Sequence, residues 1–269
     1  MSQAPQTSSH VLLENRQGPI VTLVMNRPTR LNALNKDLSN ALNDALVRIA
    51  NDPTINVVVL TGAGRAFCAG GDLSEIGKGR ERDDISEVAP ILRSGMLAVL
   101  NIRSMPQPVI AAVNGPAAGA GMNLALAADI RIATEESVFG QNFANVGLFP
   151  DYGGTYFLPQ LVGPSIAAEM FYTGEMIDAK TACRLGLLNH VFPFDRFENE
   201  VRALAQKIAS GPQIAIRAVK HTLFAREHDA LNEALEREVD FQLKCFYSED
   251  CREGIRAFHD KRPPKFEGR

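Results

Sequence analysis

The hydrophobic pattern of the chain is clearest in residues 108–133. Residues 109–113 read Val-Ile-Ala-Ala-Val, and an unbroken apolar run of this length is typical of a buried strand. An Asn-Gly-Pro turn and a stretch of Ala and Gly come next. Residues 120–128 are almost entirely apolar and predict a buried helix, and residues 129–133 predict a further strand. We therefore expect a strand, a tight turn, a helix and a strand in this order.

The same arrangement occurs upstream, where residues 56–61, Asn-Val-Val-Val-Leu-Thr, predict a buried strand that runs into the Gly- and Ala-rich residues 62–73. Small residues let another group approach the backbone closely, and the first N–H groups of a helix have no intrahelical partner. Two such units predict two sets of outward-pointing N–H groups, an arrangement that favours a negatively charged oxygen. The alternative is close packing of helix on strand, with no ligand. A dinucleotide site is disfavoured because Leu124 replaces the third glycine of its fingerprint.

The N-terminal part of the chain predicts a hairpin, two helices and a loop. Residues 11–25 alternate around a Gly-Pro pair and predict a β-hairpin. Apolar positions at helical spacing from Lys36 predict a helix that ends near residues 51–53, and residues 85–102 predict a second helix. The charged residues 78–84, Lys-Gly-Arg-Glu-Arg-Asp-Asp, predict a solvated and mobile loop.

The pattern changes towards the C-terminus, where strand signals stop. Three amphipathic helices fit residues 201–210, 213–227 and 231–246, and a short helix follows Asp250. The third helix has an apolar stripe made of Leu231, Leu235, Val239, Gln242 or Leu243, and Phe246. A helix appended to a finished core needs a partner for such a stripe, so we expect a monomer to leave it partly exposed.

Length and composition fit one core with an appendage. The chain has 269 residues, of which 45% are hydrophobic, and this is enough for one sizeable core. We predict an α/β core of residues 1–196, in which residues 1–9 are disordered, and a helical region of residues 197–269.

Charge and cysteine usage narrow the function classes. A net charge of −3 with interleaved signs gives no basic surface for nucleic acid or membranes, and no apolar run is long enough to span a bilayer. The four cysteines and five histidines show no metal-ligand spacing, so we expect no metal site and the reduced thiols of a cytoplasmic protein. The N-terminal residues lack the features of a targeting peptide, and a serine hydrolase is disfavoured because no Gly-x-Ser-x-Gly elbow occurs.

Several motifs occur in order along the chain. Asn-Arg-Pro at residues 26–28 is followed by Asn-Ala-Leu at residues 32–34, by Arg-Ala-Phe-Cys-Ala-Gly-Gly-Asp-Leu at residues 65–73, and by Ala-Val-Asn-Gly-Pro-Ala-Ala-Gly-Ala-Gly-Met-Asn-Leu at residues 112–124. Together they resemble the crotonase (enoyl-CoA hydratase/isomerase) superfamily, over about residues 11–262. The resemblance implies an α/β spiral of ββα units with a C-terminal helical region that forms a trimer or a dimer of trimers.

The same resemblance implies a ligand and the residues that bind it. The ligand is an acyl-CoA thioester, with coenzyme A as part of the substrate and no separate cofactor. The backbone N–H groups of Gly71 and Ala120 match the oxyanion donors of the family. Positions that match coenzyme A contacts are Arg30, Leu31, Ala69, Asp72, Leu73, Phe258 and Lys261. Residues 78–84 match a region over the acyl pocket, so ordering of this segment on ligand binding is an alternative to a plain solvated loop.

The catalytic base is where the chain departs from the family pattern. Hydratases of the family hold a water between two glutamates, and these positions match Asn123 and Phe143. An asparagine can orient a water but cannot take its proton, so ordinary hydration is disfavoured. Asp151 lies in a Pro-Asp-x-Gly motif that resembles the base of enoyl-CoA isomerases in the family, and apolar neighbours would raise its pKa towards neutrality. The alternative role of Asp151 is a helix N-cap.

The sequence therefore predicts an enoyl-CoA isomerase that shifts a C=C bond by proton transfer through Asp151, in fatty-acid or aromatic-acid catabolism. One alternative is an enoyl-CoA hydratase, a lyase, with atypical catalytic residues. A 4-chlorobenzoyl-CoA-type dehalogenase would use an aspartate here as nucleophile, but it needs Trp at the position of Phe143 and the chain has no Trp. A third alternative is a CoA-binding subunit without turnover.

Overall fold

The computed structural model describes residues 10–82, 84, 86, 88–225 and 227–269 of the chain, so the predicted disorder of residues 1–9 lies outside the described residues. The strands are β1 Leu12–Gln17, β2 Ile20–Met25, β3 Val57–Gly62, β4 Val109–Val113, β5 Ala117–Ala118, β6 Ile130–Thr134, β7 Val138–Gly140, β8 Met176–Asp178 and β9 His190–Phe192. The helices are α1 Lys36–Ala50, α2 Leu73–Glu81, α3 Val88–Ser104, α4 Ala120–Ala127, α5 Gly154–Val162, α6 Pro164–Thr173, α7 Ala179–Arg184, α8 Phe194–Ala209, α9 Gln213–Phe224, α10 His228–Phe246 and α11 Glu249–Asp260, with 3-10 turns at Pro28–Arg30 and Ala144–Val146.

The strands form two sheets, and the larger one is almost wholly parallel. Its order is β1-β2-β3-β4-β6-β9, with an antiparallel pairing only between β1 and β2. The smaller sheet has the order β5-β7-β8. Both faces of the parallel sheet are covered: the main core packs on one face, and Phe197 and Val201 of α8 pack on Val57, Val59 and Ile110 of the other. The continuous apolar runs of β3 and β4 follow from this double burial.

Most predicted elements of the core are confirmed. The hairpin is β1 and β2, and the two strand-to-glycine units are β3 and β4, each of which leads into a loop and then a helix. The predicted helix from Lys36 is α1, and the strand predicted at residues 129–133 is β6. The helix predicted from residue 85 begins at Val88 in the described chain; residue 85 lies outside it. These elements confirm the predicted α/β fold class.

The prediction of a solvated loop at residues 78–84 is wrong for most of that segment. Helix α2 continues through Glu81, and both Gly79 and Arg80 are buried. The Arg80 guanidinium donates to the carbonyl oxygens of Tyr247, at 3.1 Å, and Ser248, at 3.3 Å. These carbonyls lie at the end of α10, where exposed C=O groups attract a cation. The end of a distant helix thus binds the one arginine of this segment that is buried, and residues 78–81 are helical; residue 83 lies outside the described chain.

The C-terminal helical region begins at Phe194, before the boundary predicted at residue 197, and α9 ends at Phe224, short of the prediction. The apolar stripe of α10 is buried within the chain, so the expectation that a monomer leaves it partly exposed is wrong. Leu231 and Leu235 join the main core, while Val239 and Phe246 pack on α3. No helix of the described residues has the length and apolarity needed to cross a membrane.

Candidate active site

Two glycine-rich loops lie side by side where β3 and β4 end. Cys68 and Ala117 form a parallel bridge, and the N–H of Ala118 donates to the carbonyl of Cys68 at 3.0 Å. The loops approach so closely that a Cβ on Gly121 would lie 2.2 Å from the Cys68 oxygen, which no real side chain could do. A Cβ on Gly70 would lie 2.9 Å from the Ala118 oxygen. Gly70 and Gly121 are therefore required for contact between the loops.

Gly71 and Ala120, the two predicted donors, lie on the wall of one cavity. Leu34 pairs with the Gly71 segment by donating to Gly70 O at 2.7 Å and accepting from Asp72 N at 2.9 Å. In a parallel pairing, the residue between the two bonded positions directs its own N–H to the opposite side. The N–H of Gly71 therefore points away from Leu34. Ala120 is the first residue of α4, and its N-cap, Gly119, supplies no side-chain cap. The positive end of α4 therefore opens at the second loop.

These loops line one side of a cavity of about 590 Å³. The cavity contains nine of the eleven residues predicted for the site: Arg30, Leu31, Ala69, Gly71, Asp72, Leu73, Ala120, Asp151 and Phe258. Asn123 and Lys261 are not among its lining residues. Lys261 instead ends α11 in a left-handed conformation, with φ of 54°.

A small apolar chamber adjoins this cavity, and six residues line both: Gly71, Ile76, Ala120, Leu148, Asp151 and Gln242. Its free volume is about 30 Å³. The apolar residues around it come from five segments of the chain: Leu34, Ile76, Val88, Ile91, Leu92, Leu148, Tyr152 and Phe246. The space next to Gly71 and Ala120 is therefore lined by apolar side chains and by the Asp151 carboxyl.

The two positions that match hydratase glutamates have other roles. Asn123 is fully buried; its Nδ2 donates to the backbone oxygen of Asp151 at 2.7 Å, and its Oδ1 accepts from Gln141 Nε2 at 2.6 Å. Both ends of the amide are therefore used within the protein. Phe143 does line the cavity, and its ring lies 3.5 Å from where a Cβ of Gly119 would be. The predicted role of Asn123 at the substrate has no support from its position.

Asp151 is the carboxyl that meets the cavity beside the two N–H donors. Its Oδ2 accepts one long bond, 3.3 Å, from Gln242 Nε2, and its buried Oδ1 accepts no hydrogen bond from any described residue. Burial, with a smaller contribution from the charge of Glu238, raises the pKa of Asp151 to about 8. A carboxyl with this pKa can both take and return a proton near neutral pH.

Asp151 is not the N-cap of α5, so this alternative is wrong. The N-cap residue is Gly153, which has no side-chain cap, and the helix start is held by Glu238 from α10. The Glu238 carboxylate accepts from Gly153 N at 2.7 Å, Thr155 N at 2.9 Å and Thr155 Oγ at 2.5 Å. With this cap supplied from another helix, the side chain of Asp151 is left to the cavity.

Glu238 and Gln242 are residues of the site that the sequence analysis missed. Gln242 appeared only as a possible member of the apolar stripe, and Glu238 did not appear at all. A signal was present: Glu238 follows Leu235 by three positions and precedes Gln242 by four, so it falls on the buried face of α10. A carboxylate on an apolar helix face needs buried donors, and here the start of α5 provides them.

The residues expected to contact coenzyme A differ in whether their side chains are already bound within the protein. Leu31 has a left-handed backbone, with φ of 50°, directly after the 3-10 turn that carries Arg30. The Asp72 carboxylate is already engaged: it accepts from Ser74 N at 3.1 Å and forms an ion pair with Arg27 at 2.9 Å. Asp72 therefore holds the loop of Gly71 in place, and its side chain is not available as a base.

Known proteins resemble this chain over nearly its whole length. A family model described as enoyl-CoA hydratase/isomerase matches residues 15–269. A Rhodobacter capsulatus protein named probable enoyl-CoA hydratase is 40% identical over 97% of this chain and 100% of its own. The 1,2-epoxyphenylacetyl-CoA isomerase of Escherichia coli is 35% identical over 96% and 98%. Among solved structures, an enoyl-CoA hydratase from Mycobacterium avium subsp. paratuberculosis has a TM-score of 0.87 at 33% identity and covers 96% of this chain and 98% of its own.

Proposed function

Because the chain belongs to the enoyl-CoA hydratase/isomerase family, we propose that it is an enoyl-CoA isomerase in which Asp151 moves a proton between two carbons of an acyl-CoA thioester. The observation that carries this proposal is the placement of Asp151. Of the two carboxylates that line the cavity in the described chain, Asp72 is paired with Arg27, and Asp151 has an unpartnered oxygen. A single carboxyl at this place is sufficient for a double-bond shift.

The geometry suits an enolate intermediate. The thioester carbonyl would accept from the N–H groups of Gly71 and Ala120, and each such donor lowers the barrier by about 3 kcal/mol in comparable sites. The Asp151 carboxylate takes a proton from one carbon, and the C–H electron pair moves into a dienolate whose negative charge lies on the carbonyl oxygen. The protonated Asp151 then gives the same proton to another carbon, which leaves the double bond shifted by one position.

The surroundings favour this reaction over hydration. A hydratase needs a second group to hold and activate water, and Phe143 offers an apolar ring at one of the expected positions. Asn123, at the other, is bound to the loop of Asp151. The isomerase among the relatives is consistent with this reading; its name concerns that protein's own substrate.

Hydration is the second candidate, since several relatives carry hydratase names. The protein would be incubated with short 3-enoyl-CoA and 2-enoyl-CoA thioesters, and isomerised and hydrated products would be separated. We expect conversion of 3-enoyl to 2-enoyl to exceed hydration at neutral pH. Fast hydration without isomerisation would contradict the proposal, and binding without either reaction would identify a passive CoA-binding subunit. Assembly as a trimer or a dimer of trimers, and a cytoplasmic location, are further predictions from the family.

A further inference from the structure

Helix α10 places a second buried carboxyl behind Asp151. Glu238 is only 1% exposed and does not line the cavity, while Gln242, one helical turn later, donates to Asp151 Oδ2. Glu238 accepts from Gly153 N, two residues after Asp151 in the chain. The segment of residues 151–155, which leads into α5, thus presents Asp151 to the cavity and binds Glu238, which does not line the cavity.

The two carboxyls are held very differently. Glu238 accepts three short hydrogen bonds from the start of α5, and such donors favour its ionised form, particularly at the positive end of a helix. Burial opposes them, and the pKa of Glu238 is raised to about 7. From the side chains of the described residues, Asp151 accepts the one long bond from Gln242. When this region holds one negative charge, Glu238 is therefore the better place for it.

We propose that Glu238 is a positioning residue that acts through Asp151: its buried negative charge tightens the hold of Asp151 on a proton and makes Asp151 a stronger base towards carbon. This inference rests on the proposed isomerase function. Carbon acids are weak, so a carboxylate of ordinary basicity removes their protons slowly, and proton transfer becomes faster as the basicity of the carboxylate rises. The start of α5 follows the loop of Asp151 directly and also binds Glu238, whose negative charge raises the basicity of Asp151.

Other titratable groups near Asp151 do not oppose this effect. Tyr152, the next residue, shares a hydrogen bond of 3.2 Å with Ser39 Oγ, and burial raises the pKa of its hydroxyl. Burial also raises the pKa of Cys68, to about 12, so both groups are neutral at physiological pH. After burial, the negative charge of Glu238 is the next contribution that raises the pKa of Asp151.

The first test is the pH dependence of α-proton exchange from a bound acyl-CoA in D2O. In Glu238→Gln we expect the midpoint of the profile to fall by about one unit or more, and the plateau rate to fall about three- to tenfold, because Asp151 becomes less basic. Glu238→Asp keeps the charge and should restore most of the midpoint.

Gln242→Leu provides a matched variant one turn further along the same helix. The Gln242 bond favours the ionised form of Asp151, so its loss should move the midpoint upward. A merely structural role for Glu238 would lower stability without moving the midpoint, and midpoints that are unchanged in Glu238→Gln would overturn the inference.

A second readout needs no turnover. Difference infrared spectroscopy follows each buried carboxyl as it titrates, and the interaction between two such groups is mutual. Because Glu238 ionises first, Asp151→Asn should remove the carboxyl band that titrates at the higher pH and leave the Glu238 band in place, whereas Glu238→Gln should move the Asp151 band to lower pH. If Glu238→Gln does not fold, the wild-type titration decides: an Asp151 band that titrates at or below the pH of the Glu238 band would reject the coupling. If the two carboxyls of the wild-type protein titrate as a coupled pair but the protein exchanges no α-protons, the isomerase proposal is contradicted and the coupling between Glu238 and Asp151 still holds.

Discussion

Asn123 Nδ2 donates to the backbone oxygen of Asp151 at 2.7 Å. Helix α4, which begins at Ala120, is thereby tied to the loop that carries Asp151. The proposed oxyanion donor and the proposed base are thus fixed to each other by a single buried amide. Position 123, expected from the family resemblance to act on water, instead binds the backbone of Asp151.

The bond from Asn123 can be tested by Asn123→Asp, which keeps the shape and replaces the donor with an acceptor. A carboxylate facing the Asp151 carbonyl leaves two buried acceptors together, so we expect a loss of about 1–3 kcal/mol in the free energy of unfolding. Urea unfolding measures it. Asn51→Asp is the control, because exposed Asn51 makes a similar bond to Val47 O and its loss should cost less than about 0.5 kcal/mol. Equal losses in both variants would argue against a special role.

The contact between the glycine loops makes Gly121→Ala a severe change. The new Cβ would lie 2.2 Å from Cys68 O, a backbone atom that cannot turn aside. We expect the two oxyanion loops to separate, with a stability loss of about 3–5 kcal/mol and loss of α-proton exchange. Gly18→Ala meets no atom within 4 Å, although its φ is 59°, and should cost only about 1–2 kcal/mol with exchange intact. Tolerance of Gly121→Ala would mean that the loops are not in close contact.

Burial of the α10 stripe within one chain predicts the effect of Leu235→Ala. Leu235 is 1% exposed, so the cavity left behind should cost about 2–5 kcal/mol. The loss should not depend on protein concentration, because no second chain is needed to bury this side chain. Leu223 on α9 is 64% exposed, and Leu223→Ala should change monomer stability little. A loss for Leu235→Ala that varies with concentration would place the stripe at an interface instead.

The buried acid should make stability depend on pH. Burial raises the pKa of Asp151 to about 8, so the folded state holds this proton more tightly than the unfolded chain does. The cost of ionising Asp151 is absent below about pH 4, grows as pH rises, and is complete above about pH 8. We therefore expect the stability advantage of Asp151→Asn over wild type to increase by about 1–2 kcal/mol between pH 6 and pH 8. Exposed Asp240→Asn is the control; a pH-independent difference for Asp151→Asn would contradict the raised pKa.

The sequence was informative where the physical cause is local. β3 and β4 are buried on both faces, and their unbroken apolar runs indicate this directly. Asp151 could be proposed as a site residue because its motif lies in one short stretch of the chain, and it does line the cavity. The small residues of the two loops predicted a close approach to the backbone for the same reason, and the structure shows such an approach at Gly70 and Gly121, although between the loops themselves.

Prediction failed where the partner is distant in the chain. The charged residues around Arg80 predicted a solvated loop. The carbonyl groups that bind Arg80 belong to residues about 170 positions later, so nothing in the local sequence indicated that this arginine is buried. The hydrogen bonds that hold Glu238 come from the start of α5, so only the fold brings that carboxylate next to Asp151. For the apolar stripe of α10 the prediction was partial exposure in a monomer, and the structure shows burial within one chain. A hydrophobic pattern indicates that a helix face is buried but does not indicate whether the same chain or another one buries it.

The central claim is that Asp151 moves the proton, and the most direct test measures α-proton exchange into D2O and 3-enoyl to 2-enoyl conversion in wild type and Asp151→Asn. The variant keeps the size and the neutral hydrogen-bonding ability of the side chain but loses its basic lone pairs. We expect unchanged folding and CoA affinity, with both reactions reduced at least about a hundredfold, the lower end of what a general base contributes. Undiminished exchange in a folded Asp151→Asn protein would contradict the account.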